Sequence, residues 1–318
     1  MANFSLPDRN LAIVVLESTI CAVIFAFSLV GNLLVCAAVY TNARLRSTTS
    51  IYIIALAVCD LLCATVEMPL TLCALITGRW IFGNAVCQIQ GFFDVFAASC
   101  PPAIMGLTAF NRYIRINKTG YYKKIFSARL SKLWLVSVCL FLALYLIIAR
   151  VTNWQKYEFV SGFAAYSVGH YIERRKAIHY GLVVSVYFVF PMSVAVFSYY
   201  KIFKSIRSHS LALASSFQQT ATNNQATVSV QEIKLSKSLA FAMAGFVLCW
   251  IPRWATGLTN RFLPKPVPRI VPLIDTFFIF VSCAINPFIY SGTNRLFRKE
   301  LRRILCCRGT AGTISPET

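Results

Sequence analysis

The sequence predicts an all-α membrane protein, a seven-transmembrane helix bundle followed by an amphipathic helix on the inner leaflet. Three observations predict it. The 318 residues are 57% hydrophobic and only 13% charged, more apolar surface than a soluble core of that size can bury. Seven apolar runs reach the roughly 20 residues that a helix needs to cross a bilayer, and charge or Gly/Pro clusters bound them. The ten-residue alternation of a membrane β-barrel is absent, so each spanning backbone must satisfy its own polar groups as a helix.

The elements run in order along the chain. Residues 1–10 form a short polar leader without a cleavable signal pattern, and Leu11 to Tyr40 is expected to act as its own uncleaved signal anchor. The second to fourth runs are Ser50 to Ile76, Val86 to Ile116 and Leu133 to Ala149. The fifth to seventh are Ala177 to Ile206, Leu235 to Leu258 and Ile270 to Tyr290, which completes a membrane domain over residues 11–291. Ser208 to Gln231, rich in Ser, Thr, Gln, Asn and Ala, reads as a loop between the fifth and sixth spans. In 292–307, Phe297, Leu301, Ile304 and Leu305 recur at helical spacing against Arg295, Arg298, Lys299, Arg302 and Arg303, the pattern of a basic helix lying on the inner leaflet among membrane lipids. Cys306 and Cys307 end that helix as candidate palmitoylation sites, or as two unmodified thiols. A tail, 308–318, completes the chain.

A net charge of +20 raises the question of nucleic acid, but the basic residues collect where the positive-inside rule puts them. With the N-terminus outside, the inner face receives Arg44, Arg46, the stretch Arg112 through Lys132, Lys201, Lys204, Arg207, Lys234, Lys237 and Arg295 through Arg308. The expected setting is therefore a multi-pass protein of the plasma membrane, with a cytoplasmic C-terminus and no nucleic-acid partner. Asn3-Phe4-Ser5 then lies outside as a glycan acceptor.

Ionisable groups within the spans cost about 2.5–3.5 kcal/mol each at mid-membrane on insertion scales, so they should face the bundle interior. Asp60, Glu67, Asp94, Arg112, Arg253 and Asp275 are such groups. Pro191, Pro252 and Pro287 each delete a backbone bond inside a span and predict three hinges. Around them stand Gly31-Asn32, Leu56-Ala57-Val58-Cys59-Asp60, Asn111-Arg112-Tyr113, Trp134, Pro191 with Tyr199, Cys249-Trp250-Ile251-Pro252 and Asn286-Pro287-Phe288-Ile289-Tyr290, one set per span. In this order the chain resembles the rhodopsin-like G-protein-coupled receptors over nearly its whole length. Cys87-Gln88-Ile89-Gln90-Gly91-Phe92 and Asn111 resemble the melatonin-receptor-like group in particular, whereas Asn286-Pro287 and the acidic Asp94 do not.

The resemblance implies a receptor that binds a small extracellular ligand in the outer half of the bundle and activates a heterotrimeric G protein at the inner face. It implies that Arg112 pairs at rest with an acid on the sixth helix, where Glu232 stands in the matching place, and that Tyr113, Tyr199, Trp250, Pro252, Asn286, Pro287 and Tyr290 take part in the switch. Asn111 departs from the common aspartate and cannot ionise, so any proton-linked release at that position is lost. Asp60 is expected to be a polar hub with Asn32, Ser282 and Asn286. One of Pro101-Pro102 occupies the place of a hydroxyl that helps relatives hold sodium, which weakens the case for sodium at Asp60.

For the ligand site the resemblance gathers Glu67, Asp94, Trp250, Arg253, Trp254, Asp275, Tyr187 and His179. Asp94 matches the position that holds a protonated amine in aminergic relatives, and a desolvated carboxylate favours an ammonium. Arg253 supplies the rival, an internal ion pair with Asp94, Glu67 or Asp275. The ligand is expected to be an amine, an indole-like molecule or something amphoteric. Phe280 stands where light-sensing relatives carry the retinal lysine, so no retinal and no other cofactor is expected. Cys87 occupies one half of the family's usual disulfide, but 151–180 holds no cysteine, leaving Cys73 as the one substitute considered. The three histidines are scattered and no His/Cys spacing suits a metal, which argues against an enzyme. A non-signalling or modulatory receptor and, more remotely, a transporter are the alternatives, the latter lacking the internal repeats it would need.

Overall fold

The computed structural model describes residues 5–169, 178, 181–216, 230–262 and 267–306, with side chains described for all of these except residues 169, 209–216, 230–232, 234, 254, 257, 258 and 260–262. Asn3, His179, Cys307 and the tail 308–318 lie outside the described residues, as do the side chains of Glu232 and Trp254.

Among the described residues, seven helices are long and apolar enough to cross a membrane: α1 (Leu11–Thr41), α2 (Thr48–Thr77), α3 (Asn84–Asn117), α4 (Ala128–Val151), α5 (Gly181–Ser208), α6 and α7 (Ile270–Thr293). The helix of α5 continues to Ser216, and α6 runs over Val230–Phe262. A further helix, α8 (Arg295–Leu305), comes after α7 with one residue between them, Asn294, whose side chain caps it by accepting from the N–H groups of Leu296 and Phe297. The bundle is inverted relative to a water-soluble protein. Leu16, Phe141, Val196 and Leu248 are exposed along the helix flanks, whereas Asn32, Asp60, Asn111 and Arg112 are buried, as the lipid solvent requires.

Local residues set each helix start. Asn10 accepts from the Ile13 N–H at the head of α1, Ser47 and Ser50 form a capping box at the head of α2, and Ser127 accepts from the Leu130 N–H at the head of α4. Gly78 ends α2 in the left-handed region at φ 73°, where a side chain would be strained. Two spans carry a single π turn, Cys63–Glu67 in α2 and Ser185–Val189 in α5.

Where the sequence suggested only a long connection after the fourth span, the chain forms an antiparallel hairpin, β1 (Lys156–Val160) with β2 (Ala165–Gly169), registered Tyr157 to Val168 and Phe159 to Tyr166. The hairpin lies against α3: a Cβ at Gly91 would collide with the Tyr157 ring. Trp80 packs edge-on against Tyr166 at 4.8 Å. At the same end, the N-terminal strand segment bridges Ser5 to Arg79, and Glu17 of α1 accepts from Arg9 at 2.7 Å and from Arg269 at 2.7 and 3.0 Å. Arg9 also reaches the Leu75 carbonyl at 2.7 Å. This clasp joins the heads of α1 and α7 to the C-terminal end of α2 without a covalent bond. Cys87 and Cys73 are both free thiols, so neither the usual bridge nor the Cys73 substitute is made.

At the opposite end, α8 is pinned to α1. Its Glu300 accepts from Thr41 Oγ1 at 2.8 Å and from Asn42 Nδ2 at 2.9 Å. Partial burial works against its charge, but these bonds and Arg303 outweigh it and hold the carboxyl below the usual glutamate range. Phe297 and Leu301 are buried beneath the helix, with Phe297 against Tyr290 at 5.7 Å, while Cys306 at its end is exposed.

Close approach of α3 and α5 depends on Gly106. A Cβ there would stand 2.8 Å from both the Pro191 Cβ and the Pro191 carbonyl oxygen. Gly106→Val is therefore expected to lower the melting temperature of the purified protein, overpacking of this kind costing about 1–3 kcal/mol. An unchanged melting curve would show that the two helices do not meet at this point.

Candidate functional site

The two π turns sit where sequence reasoning put the ligand. An extra residue in one helical turn rotates the remainder of the helix and re-aims a side chain toward the axis. In α2 the turn ends on Glu67, which is 4% exposed and whose Oε1 finds no hydrogen-bond donor among the described residues. In α5 the turn contains Tyr187, buried and packed against Phe141, its hydroxyl again unpartnered among the described residues. On α3, Asp94 faces the hairpin, and its Oδ2 accepts from the Ser167 hydroxyl at 2.6 Å. One turn earlier, Gln90 is fully buried and its Oε1 accepts from the Tyr166 N–H at 2.8 Å.

Arg253 on α6 extends over the ring of Phe163, at 3.7 Å from the centroid, a cation–π contact that strengthens away from water. It acts electrostatically on Asp94 and on Asp275 of α7. Among the described residues no ion pair within 4 Å joins it to Asp94, Asp275 or Glu67. The internal salt bridge weighed as the rival to ligand binding is thus a longer-range attraction. Asp275 is buried beside Thr256 and keeps Oδ2 without a donor among the described residues. Trp250 is buried and stacked on Phe246 at 5.3 Å, with no acceptor for its indole N–H among the described residues. The hairpin therefore contributes Phe163 and Ser167 directly to the group formed by Asp94 and Arg253.

Midway along the bundle, Asn286 Nδ2 donates to Asp60 Oδ2 at 2.9 Å. Asn32 donates to the Cys283 carbonyl at 2.9 Å and to Ser28 O, so it ties α1 to α7 through the backbone and not through Asp60. Ser282, expected in the same hub, turns to the Ile279 carbonyl of its own helix at 2.6 Å. The Cys283 thiol takes its place beside Asp60. A serine hydroxyl on a helix can always reach a carbonyl one turn back, and here that local bond wins.

Toward the α8 end, Arg112 is completely buried. Its Nε donates to Ser236 Oγ of α6 at 3.1 Å and its Nη1 to Thr49 Oγ1 of α2 at 3.1 Å. Asn111 accepts from the same Thr49 at 3.3 Å and donates to Tyr122 at 3.3 Å, a residue of the short helix Thr119–Ile125 just beyond α3. Tyr113 packs against Phe197 of α5 at 5.8 Å. A small cavity of about 10 Å³ lies beside this network, lined by Tyr52, Thr108, Tyr199 and Tyr290 among others. Pro252 and Pro287 lie inside α6 and α7.

Thr49, Ser167, Phe163 and Ser236 were not singled out by sequence reasoning. No spacing rule marks a lone hydroxyl as the partner of an arginine or aspartate on another helix, so composition carried no signal for them. The hairpin had one: Lys156-Tyr157-Glu158-Phe159-Val160 alternates polar and apolar as a half-buried strand does.

Comparison with known proteins agrees with the fold. The human histamine H2 receptor is 26% identical, aligned over 95% of this chain and 85% of its own. The melatonin receptor type 1B of Mus musculus is 28% identical over 91% of this chain and 77% of its own. The octopamine receptor beta-1R of Drosophila melanogaster is 25% identical over 94% and 63%. Squid rhodopsin superposes with a TM-score of 0.79 at 20% identity, covering 97% of this chain and 94% of that one, a likeness of fold. The sequence profile of the 7 transmembrane receptor (rhodopsin family) matches residues 31–290. With that match over most of its length and one spanning helix for each of the seven spans, the chain belongs to the rhodopsin family of seven-transmembrane receptors.

Proposed function

We propose that this chain, a G-protein-coupled receptor for a small ligand, takes a small organic cation at Asp94 and signals from the α8 end of the bundle. The observation that carries the ligand class is the state of Asp94: a carboxylate inside the bundle, held by the Ser167 hydroxyl and attracted by Arg253 without a close ion pair. A group of this kind gains most from an ammonium, which adds a charge-assisted hydrogen bond in a site of low dielectric. An uncharged ligand would have to leave that demand unmet. Relatives named for histamine and octopamine fit a cation, whereas one named for melatonin fits a neutral indole.

The hairpin end is extracellular in this reading and α8 lies on the cytoplasmic leaflet of the plasma membrane. Support comes from the basic residues gathered at the α8 end, among them Arg44, Lys123, Lys124, Arg298 and Arg302. Cys306, exposed at the end of α8, is placed for acylation, which would add a second membrane anchor to a short basic helix. Phe280, buried on α7, offers no amine for a retinal Schiff base, and no cofactor enters the proposal.

The test is a second-messenger assay on cells expressing the full chain, challenged with histamine, octopamine, other primary amines and melatonin. A response to amines supports the reading. A response to melatonin alone, unaltered by Asp94→Asn, would replace the cation with a neutral indole.

A further inference from the structure

Glu67 has no role in holding a single ammonium at Asp94, yet it is a carboxylate in the same part of the bundle. It is 4% exposed, and its Oε1 has no hydrogen-bond donor among the described residues. The π turn Cys63–Glu67 delivers it, and that turn packs against α3, which carries Asp94. The groups that act on it electrostatically are Asp94, of like charge, and Cys63. Arg253 acts on Asp94 and Asp275 instead. Of the buried carboxyl groups Asp94, Asp275 and Glu67, Arg253 thus acts on the first two, and Glu67 is the one left without a described cation acting on it. A buried acceptor without a donor is costly, and a second carboxylate nearby adds repulsion.

We propose that the ligand of this receptor is dicationic: a diamine whose first ammonium pairs with Asp94 and whose second pairs with Glu67. This rests on the reading of Asp94 given above and extends it. The second ammonium would donate to the orphaned Oε1 and would neutralise the like-charge pair. A metal ion serves less well, because among the described residues no three His, Cys, Asp or Glu side chains are arranged to hold one. Selectivity then has a geometric form. The separation of the two carboxylates fixes the length of the linker, so potency should peak at one chain length and fall on either side. A monoamine satisfies Asp94 alone.

The experiment measures the thermal shift of the purified full-length receptor, which requires no knowledge of its G protein. The probes are a homologous series of α,ω-diaminoalkanes, the 1-aminoalkanes of equal carbon number, and the matching amino alcohols. On the wild type, the best diamine should bind about tenfold or more tightly than its monoamine and its amino alcohol, the worth of one additional charge-assisted bond. In Glu67→Gln that advantage should vanish, the diamine binding no more tightly than its monoamine. In Asp94→Asn both should weaken.

Equal affinity of diamines, amino alcohols and monoamines on the wild type would overturn the proposal and leave Glu67 as a neutral acid keeping its own proton. This comparison needs no variant and so survives a failure of Glu67→Gln to fold. If monoamines shift the wild type and lose the shift in Asp94→Asn, the reading of Asp94 stands whatever the diamines do. If no amine of any kind shifts the wild type, both the reading of Asp94 and the diamine proposal fall together.

Discussion

Asp94→Asn is expected to lower the potency of amine agonists at least about thirtyfold, with little change in the amount of receptor at the cell surface. Removing one partner of a buried, hydrogen-bonded charge pair costs about 2–5 kcal/mol, and each 1.4 kcal/mol is a factor of ten. Asparagine has nearly the volume of aspartate and retains a carbonyl oxygen to accept the Ser167 hydroxyl, now 2.6 Å from Oδ2. The hairpin therefore keeps that bond, and the loss falls on the ligand. Arg253 sharpens the expectation. It loses an attracting charge at Asp94 but retains Asp275 and its place over Phe163 at 3.7 Å, so the fold around it has other anchors. Concentration–response curves alongside surface labelling check this. Unchanged potency at normal expression would make Asp94 a structural anchor for the hairpin, and the ligand would have to be sought elsewhere in the bundle.

How much of this was legible beforehand differs sharply between spans and site. The spans were legible because lipid imposes a one-dimensional rule: Leu16, Phe141 and Val196 must be apolar wherever they face outward, so hydropathy alone brackets each helix. The bounds erred toward shortness, since α3 extends to Asn84 and Asn117 through polar turns that hydropathy discounts. The π turns were not legible, because one inserted residue leaves an apolar run looking as apolar as before. Yet these turns aim Glu67 and Tyr187. The missing loop cysteine was plain from 151–180, but its replacement was not. The Tyr166 N–H donates to Gln90 and the Ser167 hydroxyl to Asp94, so polar contacts secure the hairpin to α3 where the family's usual disulfide would stand. The partners of Arg112 were hidden for a similar reason. Thr49 and Ser236 belong to the commonest class of surface residue, and only the register of three helices makes them a socket for a buried guanidinium.

That socket sets the second large effect, a rise in basal signalling on loosening α6 from Arg112. In this structure α6 is tied to α3 through Ser236 and α3 to α2 through Thr49, both at 3.1 Å from the guanidinium. Glu232 stands one helical turn before Ser236, a spacing that places two residues on the same face of a helix. An outward swing of α6 has to give up the Ser236 bond and whatever Glu232 adds to it. A ligand or a mutation shifts such an equilibrium only by its differential effect on the two states. Hydrogen bonds to charged groups are worth about 1.5–3 kcal/mol, so Glu232→Ala, and separately Ser236→Ala, should raise the active fraction roughly tenfold where it starts small. Both variants keep Arg112 itself. Basal second-messenger levels at matched surface expression provide the measurement. Silence in both variants, with a normal response to agonist, would mean that α6 is restrained elsewhere, for instance by the Thr293–Ser238 bond at 2.6 Å between α7 and α6. Silence in Glu232→Ala alone would assign the restraint to the serine, which no sequence rule had marked.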